Sequence, residues 1–337
     1  MTPEELARQK WNRVAKPLHS LGLLEDMIVQ IAGIQGTPDV RLEPRCVLVF
    51  CADHGVVEEG ISQSGSEVTA RVAKSIAEGA SNISQMASYA HADVYAVDIG
   101  MCRQFYGTIS RRIAAGTANM TGQPAMTREQ TERALRTGMD LVSEMKERGY
   151  RIIAVGEMGI GNTTASTAMT CALLGLSPDA LTGRGAGLSN AGLIRKKRAI
   201  LRALEVNRPD PNDPTDVLAK VGGLEIAGMA GAYLGGMKHQ VPIIIDGMIS
   251  SVAALTAARI CPEAKRFMLP SHLSIEPAAS HIMEELGLRP IIHADMALGE
   301  GTGAAALLPL LDMALRVYYG PHTFESLGMD AYTPQEG

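Results

Sequence analysis

The sequence lacks the features of a nucleic-acid-binding or membrane-spanning protein. Its 337 residues carry a formal net charge of −5, and lysine and arginine form no basic stripe. Because binding to a polyphosphate backbone needs such a positive surface, we expect no nucleic acid partner. No apolar run approaches the roughly 18–20 residues that cross a bilayer, so we also expect no membrane partner.

The sequence also lacks a disulfide pattern and a secretory leader. Its five cysteines are widely spaced and form no C-x-x-C pair. They are Cys46, Cys51, Cys102, Cys171 and Cys261. The first residues, Met1-Thr2-Pro3-Glu4-Glu5, contain neither the basic nor the apolar region of a signal peptide. Since these features are typical of a reducing compartment, we expect a cytoplasmic protein.

What the sequence does contain is an alternation of apolar strands with helices. Short apolar runs predict six strands, at residues 46–50, 94–97, 152–155, 241–245, 267–269 and 290–292. Helical patterns separate most of these runs. This alternation predicts an α/β fold, in which a parallel sheet is covered by helices on both faces.

Helices are also predicted at both ends of the chain. Two fall within residues 2–34, and a final helix falls within 303–319. We expect them to pack together as a small helical domain of residues 1–34 and 301–337. Residues 35–300 are then the large α/β domain, with the active site at the carboxyl ends of its strands.

A polar or glycine-containing cluster follows each predicted strand. The clusters are Asp53-His54-Gly55, Asp98-Ile99-Gly100, the turn at 156–161, Asp246-Gly247, Ser271-His272, and His293-Ala294-Asp295 followed by Leu298-Gly299-Glu300-Gly301. A single cluster would be ordinary turn chemistry. Because an open parallel sheet binds its ligand outside the carboxyl ends of its strands, six clusters in phase predict an enzyme site there.

The turn Gly156-Glu157-Met158-Gly159-Ile160-Gly161 joins a predicted strand to a predicted helix. Uncovered N–H groups at a helix N-terminus bind anions, so this turn suits a phosphate, although a purely structural turn explains its glycines equally well. A second turn, Gly183-Arg184-Gly185-Ala186-Gly187, suits the same ligand. Lys196 could supply a cation, or it could be a solvated member of a basic helix face.

Common alternatives do not fit these patterns. The glycine order G-x-x-G-x-G is not the dinucleotide fingerprint, and the sequence contains no P-loop. No G-x-S-x-G elbow supports a hydrolase. His272 and Glu276 could share a helix face as metal ligands, but no third ligand is evident, so we expect no metal.

Six motifs then follow one another along the chain. They are Ala52-Asp53-His54-Gly55-Val56 with Glu59-Gly60; Val155-Gly156-Glu157-Met158-Gly159-Ile160-Gly161-Asn162-Thr163-Thr164; Lys220-Val221-Gly222-Gly223; Asp246-Gly247; Ser271-His272 with Ser274 and Glu276; and Leu298-Gly299-Glu300-Gly301 with Gly303-Ala304-Ala305. In this order the chain resembles the nicotinate-nucleotide–dimethylbenzimidazole phosphoribosyltransferases of cobalamin nucleotide-loop assembly. The resemblance runs from about Lys16 to Tyr319.

The resemblance implies transfer of phosphoribose from nicotinate mononucleotide to 5,6-dimethylbenzimidazole, which gives α-ribazole 5′-phosphate and nicotinate. It implies a Rossmann-like parallel sheet with a small helical domain, in a homodimer. It puts the catalytic base at Glu300 and a second active-site carboxylate at Glu157. The positions it implies for phosphate and ribose binding are Gly159, Gly185, Lys196, Asp246, Gly247 and Ser274, and those for base binding are Ser64 and Leu298.

The chemistry of this donor requires one base. The leaving nitrogen of nicotinate mononucleotide is a positively charged pyridinium, so its departure needs no general acid. The attacking azole must lose its N–H proton, and a partly desolvated carboxylate among glycines can have a pKa raised enough to accept it. Attack from the back inverts the sugar from β to α. We therefore expect neither a metal nor a cofactor.

Two departures from the family pattern leave the acceptor open. Lys16-Pro17-Leu18-His19-Ser20-Leu21 stands where relatives often have Lys-Pro-Pro-Gly-Ser-Leu, and Gly65 stands beside Ser64 where many have proline. Because glycine loosens a loop, another benzimidazole, a purine or a phenol is an alternative acceptor. A non-catalytic paralogue that binds the nucleotide, and a dinucleotide-binding oxidoreductase, are the alternatives from other classes.

Overall fold

Six strands form one sheet in the computed structural model, which describes residues 1–333. They are β1 (Arg45–Ala52), β2 (Asp93–Gly100), β3 (Ile109–Ser110), β4 (Ile152–Met158), β5 (Ile243–Ile245) and β6 (Met268–Pro270). Every pair is parallel, and the order is β3-β2-β1-β4-β5-β6. The order reverses between β1 and β4, which is where doubly wound sheets open a ligand crevice. The predicted Rossmann-like α/β fold is confirmed.

Thirteen α-helices lie within residues 1–333. They are α1 (Pro3–Arg13), α2 (Leu23–Gln35), α3 (Glu67–Ala77), α4 (Asn82–Tyr89), α5 (Arg128–Glu147), α6 (Asn162–Leu174), α7 (Pro178–Leu181), α8 (Asn190–Asn207), α9 (Pro214–Val221), α10 (Leu224–His239), α11 (Met248–Ile260), α12 (Ala278–Leu286) and α13 (Thr302–Tyr318). In this described part of the chain, no helix is both long and apolar enough to cross a membrane.

β1 is buried along its whole length because apolar side chains occupy both of its faces. Leu48 and Phe50 belong to the core on one face of the sheet, where α10 contacts β1, β2 and β4. Val47 and Val49 alternate with them and belong to the core on the other face, where α3 contacts β1 and α13 contacts β4. Helices therefore cover the sheet on both faces, as its continuous apolar runs predict.

Helices from the two ends of the chain pack on the same face of the sheet. α2 contacts both α1 and α13. The Trp11 ring of α1 lies 5.0 Å from the Tyr318 ring of α13, centroid to centroid. Both side chains belong to a core that also contains Val47 of β1 and Ile152 of β4. The division into domains 1–34 with 301–337 and 35–300 stays a prediction, and residues 334–337 lie outside the described residues.

The strand predictions are wrong at two places. Residues 290–292 form no strand, and Ile292 makes only an isolated bridge with His272, because the run is short and begins with Pro290, which has no N–H to donate. The edge strand β3 was not predicted, since its two residues form no hydrophobic pattern. β3 pairs with β2 through Val97 and Asp98.

Candidate active site

A cavity of about 320 Å³ opens at the carboxyl ends of β4, β5 and β6. Most of the site residues that the sequence predicts line this cavity. They are Glu157, Gly159, Gly185, Gly247, Ser274, Leu298 and Glu300. Lys196 lines a smaller neighbouring cavity of about 80 Å³, which shares Gly159 and Gly185 with the larger one. The volume of the larger cavity is that of a small-molecule site.

Two predicted site residues lie outside both cavities. Ser64 is in the loop before α3, where its backbone N–H donates to the Ser62 hydroxyl oxygen at 3.2 Å. Asp246 is buried behind the larger cavity. Its carboxylate accepts hydrogen bonds from the N–H groups of Gly301, Gly303 and Ala304, at 3.0, 2.8 and 3.1 Å. Asp246 therefore caps the N-terminus of α13.

The turn that carries Glu300 has an unusual backbone. Gly299, Glu300 and Gly301 have φ angles of +86°, +60° and +87°. Glycine adopts such angles without cost, whereas Glu300 is a non-glycine residue held in the left-handed region, which is typical of functional sites. The neighbouring strand comes very close, because a Cβ on Gly156 would lie 2.4 Å from the Gly301 nitrogen. The L-G-E-G and G-E-M-G motifs thus fit directly against each other.

The Glu300 carboxylate is buried at the start of α4. Its Oε2 accepts a hydrogen bond from the Ile83 N–H at 3.3 Å. Burial raises the pKa of Glu300, and the negative charge of Asp246 raises it further, while hydrogen bonds from Ile83 and the Asn82 side chain partly oppose the shift. A carboxyl group with a raised pKa is a better proton acceptor than an exposed glutamate, once it is ionised.

Glu157 lies in the same cavity in a more strongly perturbed environment. Burial raises the pKa of Glu157 well above its usual value, and the negative charges of Asp246, Glu225 and Glu300 add to the rise. The Asn162 side chain donates a hydrogen bond to Glu157 Oε2, which lowers the pKa in part. Two carboxyl groups that share a cavity but have different neighbours are suited to different roles.

The N-terminus of α6 is open on the cavity side. Its N-cap is Gly161, with φ of +99° and no side-chain hydrogen bond to the cap. The Lys196 ammonium lies beside it and donates to the Thr163 hydroxyl at 2.8 Å and to the Gly183 carbonyl at 3.1 Å. Lys196 is only 1% exposed, so its interpretation as a solvated surface residue is wrong. Burial lowers the pKa of Lys196 to about 8, although the nearby Glu276 carboxylate opposes the shift.

His272 and Glu276, whose spacing raised the possibility of two metal ligands on one helix face, also line the cavity. They share no helix face, because both precede α12, so that interpretation is wrong. Within residues 1–333, no group of three His, Cys, Asp or Glu side chains is placed to hold a metal ion. Their position beside Ser274 in one motif was the signal that they belong to the site.

A buried histidine–glutamate pair packs against the glycine turn at 156–161. The Nε2 atom of His54 lies 2.6 Å from Oε1 of Glu225, and both side chains are buried. The imidazole packs against the turn, since a Cβ on Gly159 would lie 3.4 Å from its Nε2 atom. The cluster Asp53-His54-Gly55, which follows β1, therefore supports the site through the contact of His54 with Gly159.

The sequence and the fold both match known proteins over nearly their full length. The DBI_PRT family model, described as phosphoribosyltransferase, matches residues 2–329. A nicotinate-nucleotide–dimethylbenzimidazole phosphoribosyltransferase of Acetivibrio thermocellus is 42% identical over 335 residues, covering 99% of this chain and 95% of the relative. The protein of the same name from Clostridium acetobutylicum is 41% identical over 329 residues, covering 97% and 94%.

A solved structure gives the same result for the fold. The crystal structure of CobT from Thermus thermophilus superposes with a TM-score of 0.91 at 40% sequence identity. The match covers 97% of this chain and 98% of that chain. The similarity in fold therefore extends over nearly the whole chain.

Proposed function

The chain belongs to the nicotinate-nucleotide–dimethylbenzimidazole phosphoribosyltransferase family, and we propose that it transfers phosphoribose from nicotinate mononucleotide to 5,6-dimethylbenzimidazole or a related base. The products are α-ribazole 5′-phosphate and nicotinate, in the assembly of the cobalamin nucleotide loop. The observation that carries this proposal is one cavity that joins a buried carboxylate, Glu300, to an anion-binding corner at Gly159 and Gly185.

The corner formed by Gly159, Gly185 and Lys196 binds the phosphate of the donor. The open N-terminus of α6 and the ammonium group of Lys196 both favour negative charge there. Gly247 and Ser274, which line the same cavity as Glu300, border the ribose. Anchoring the phosphate orients C1′ of the sugar toward the acceptor, which lowers the entropic part of the barrier.

The acceptor base binds at the mouth of the cavity beside Leu298. This side chain is 55% exposed, so a flat aromatic base that covers it removes apolar surface from water. Glu300 follows Leu298 by two residues and faces the same cavity. A role for Ser64 in base binding rests on the family resemblance alone.

In the reaction, an azole nitrogen of the base attacks C1′ from the side opposite to nicotinate. The C1′–nitrogen bond to nicotinate breaks, and the electron pair neutralises the pyridinium of the leaving group. The N–H proton of the azole moves to the Glu300 carboxylate, and the sugar is inverted from β to α. Glu157, which lines the same cavity and accepts a hydrogen bond from the Asn162 side chain, then positions the donor or stabilises charge.

The family resemblance implies that Asp246 contributes to phosphate and ribose binding. Its contacts instead favour a role in positioning Glu300. Its two oxygens accept three backbone N–H groups around the turn at 299–301. These contacts support the left-handed backbone at Glu300 and the start of α13.

The direct test is incubation of the purified protein with nicotinate mononucleotide and 5,6-dimethylbenzimidazole, followed by chromatography and mass spectrometry. We expect α-ribazole 5′-phosphate and nicotinate in equal amounts. Failure to form a product with any benzimidazole, purine or phenol would contradict the proposal. Tight binding of nicotinate mononucleotide without turnover would instead favour the non-catalytic paralogue, and hydride transfer from a nicotinamide dinucleotide would favour an oxidoreductase.

We further propose that the protein is a cytoplasmic homodimer, as the family resemblance implies. Light scattering after size exclusion should give twice the 35.8 kDa mass of the chain. A monomer mass at micromolar concentration would contradict the dimer, and recovery of the native protein outside the cytoplasmic fraction of its host would contradict the location.

A further inference from the structure

A carboxylate already occupies the corner proposed for the donor phosphate. Glu276 lies between β6 and α12 and lines the cavity. Its Oε1 atom accepts a hydrogen bond from the Gly185 N–H at 3.1 Å. Gly185 is adjacent to the ammonium group, since a Cβ on it would lie 3.5 Å from Lys196 Nζ. An internal anion therefore sits beside the same donors that would bind a phosphate.

The contacts of Glu276 leave this anion incompletely satisfied. Its Oε2 atom is buried and has no hydrogen-bond partner within residues 1–333. The Lys196 ammonium donates to Thr163 and to the Gly183 carbonyl, and makes no hydrogen bond to Glu276 in the same part of the chain. A buried carboxylate oxygen without a donor is costly. The carboxylate is thus a weakly held occupant, in contrast to the fully bonded Asp246.

The location of Glu276 also allows its side chain to move away from the Gly185 N–H. It lies in a loop two residues before α12, is only partly buried, and follows Ile275, which is 59% exposed. Its own N–H makes one long hydrogen bond of 3.4 Å to the Ser274 hydroxyl. Rotation of the side chain would free the Gly185 N–H without moving a helix or a strand.

Resting on the proposed function, we propose that Glu276 is a resident anion of the donor site, which holds the Gly185 N–H in the empty enzyme and is displaced by the phosphate of nicotinate mononucleotide. A ligand that binds through its ribose and ring as well as its phosphate has enough contacts to displace it. Inorganic phosphate contacts only the corner formed by Gly159, Gly185 and Lys196, and therefore competes poorly with the Glu276 carboxylate. Glu276 is thus a specificity-determining residue that acts against small anions.

The test measures binding of inorganic phosphate by calorimetry with no acceptor base present, and inhibition by phosphate against nicotinate mononucleotide. In Glu276→Gln, which keeps the side-chain size but removes the charge, we expect phosphate to bind about tenfold more tightly. The KM for nicotinate mononucleotide should fall as well. The affinity for nicotinate riboside, which has no phosphate, should stay unchanged.

Glu284→Gln is the matched control, because it removes the same charge from an exposed position on α12. We expect wild-type phosphate binding in this variant, and the same direction of change in Glu276→Ala as in Glu276→Gln. Unchanged or weaker phosphate binding in both Glu276 variants would overturn the proposal, as would an equal gain in the control. Weaker binding of the riboside would also overturn it, by assigning Glu276 to the ribose.

The two proposals can fail separately. Phosphate binding is measured without any acceptor, so its result does not depend on which base the enzyme uses. Absence of product from every acceptor, together with tighter phosphate binding in Glu276→Gln, would remove the transferase proposal and leave the resident anion in place.

Discussion

Glu300 is the residue on which the proposed chemistry depends most directly. It is buried, it lies between two glycines, and its Oε2 accepts the Ile83 N–H. In Glu300→Gln the side chain keeps its size and an acceptor oxygen but cannot take up the azole proton. We expect kcat to fall by about 10²- to 10⁴-fold, with a small change in the KM for nicotinate mononucleotide. Steady-state assays measure both constants, and circular dichroism should show an unchanged fold.

Glu157→Gln is the matched comparison, because Glu157 lies in the same cavity. A variant that replaces a positioning group should lose less kcat than Glu300→Gln. Wild-type turnover in Glu300→Gln, together with a large loss in Glu157→Gln, would reassign the base to Glu157.

Lys196 should make donor binding depend on pH above neutrality. Burial lowers its pKa to about 8, and only the protonated form attracts the phosphate. As pH rises through about 8, the ammonium loses its proton, so the KM for nicotinate mononucleotide should increase by about tenfold per pH unit. In Lys196→Met the KM should be high at every pH and nearly independent of it. Initial rates between about pH 6 and pH 10 check this.

The control for Lys196 is its neighbour on α8. Lys197 pairs with Asp179 on the protein surface, so Lys197→Met should keep the wild-type pH profile. A profile that stays unchanged in Lys196→Met would mean that another group causes the pH dependence.

The two glutamates and the glycine corner could be predicted from the sequence because each lies in a short motif. The hydrogen bonds of Asp246 could not be predicted from the sequence, because its partner Gly301 is 55 residues away. Only the folded structure shows that the Asp246 carboxylate accepts backbone N–H groups of this turn. Glu276 has the same limitation, since its hydrogen bond to Gly185 spans 91 residues. Local sequence patterns predict which residues lie at the carboxyl edge of the sheet, but not which of them form hydrogen bonds with one another.

Among the structural elements, the turn at 299–301 and the start of α13 depend on one side chain, Asp246. In Asp246→Asn one oxygen becomes an amide that cannot accept a backbone N–H. We expect the free energy of unfolding to fall by on the order of 1–3 kcal/mol. Turnover should fall as well, because Glu300 loses its fixed orientation. Urea unfolding and steady-state kinetics measure the two effects.

Asp295→Asn is a suitable control, because Asp295 is exposed in the loop before the same turn. We expect it to behave like the wild type in both measurements. If Asp246→Asn lowered turnover with an unchanged free energy of unfolding, Asp246 would be a substrate ligand, as the family motif implies.

Most of the helices and the strands β1, β2 and β4 follow from their apolar runs, because these elements are buried on both faces or on one clear stripe. The errors occur where an element depends on pairing alone. β3 exists because Ile109 and Ser110 meet the edge of β2, and its own sequence has no β pattern. The run at 290–292 is apolar but forms only an isolated bridge at Ile292, since it is short and begins with Pro290.

At the scale of the whole molecule, the sheet and the terminal helices share one core. Arg45, at the start of β1, is fully buried and makes two 2.7 Å hydrogen bonds to the Asp312 carboxylate of α13. Its Nε–H donates to the Ala90 carbonyl at 2.7 Å. A bidentate arginine–carboxylate pair of this kind ties the C-terminal helix to the central strand. We therefore expect the proposed small helical domain to unfold together with the large one.

The tryptophan content allows this expectation to be tested. Trp11 is the single tryptophan, and it lies in α1 against Tyr318 of α13, so its fluorescence reports on the terminal helices. Far-UV circular dichroism reports on all helices. In the wild type both signals should give one urea midpoint.

Asp312→Asn leaves the buried Arg45 with a weaker partner, and we expect the free energy of unfolding to fall by on the order of 2 kcal/mol.

The two signals should still coincide in Asp312→Asn, because the shared core is intact and only its anchor is weakened. Asp140→Asn, an exposed change on α5, should leave the midpoint unchanged. If the Trp11 transition came first in the wild type, the terminal helices would be an independently unfolding domain. In that case the site would lie at the boundary between two folding units. Glu300 is two residues before α13, and its backbone N–H donates to the Glu157 carbonyl of β4 at 3.2 Å.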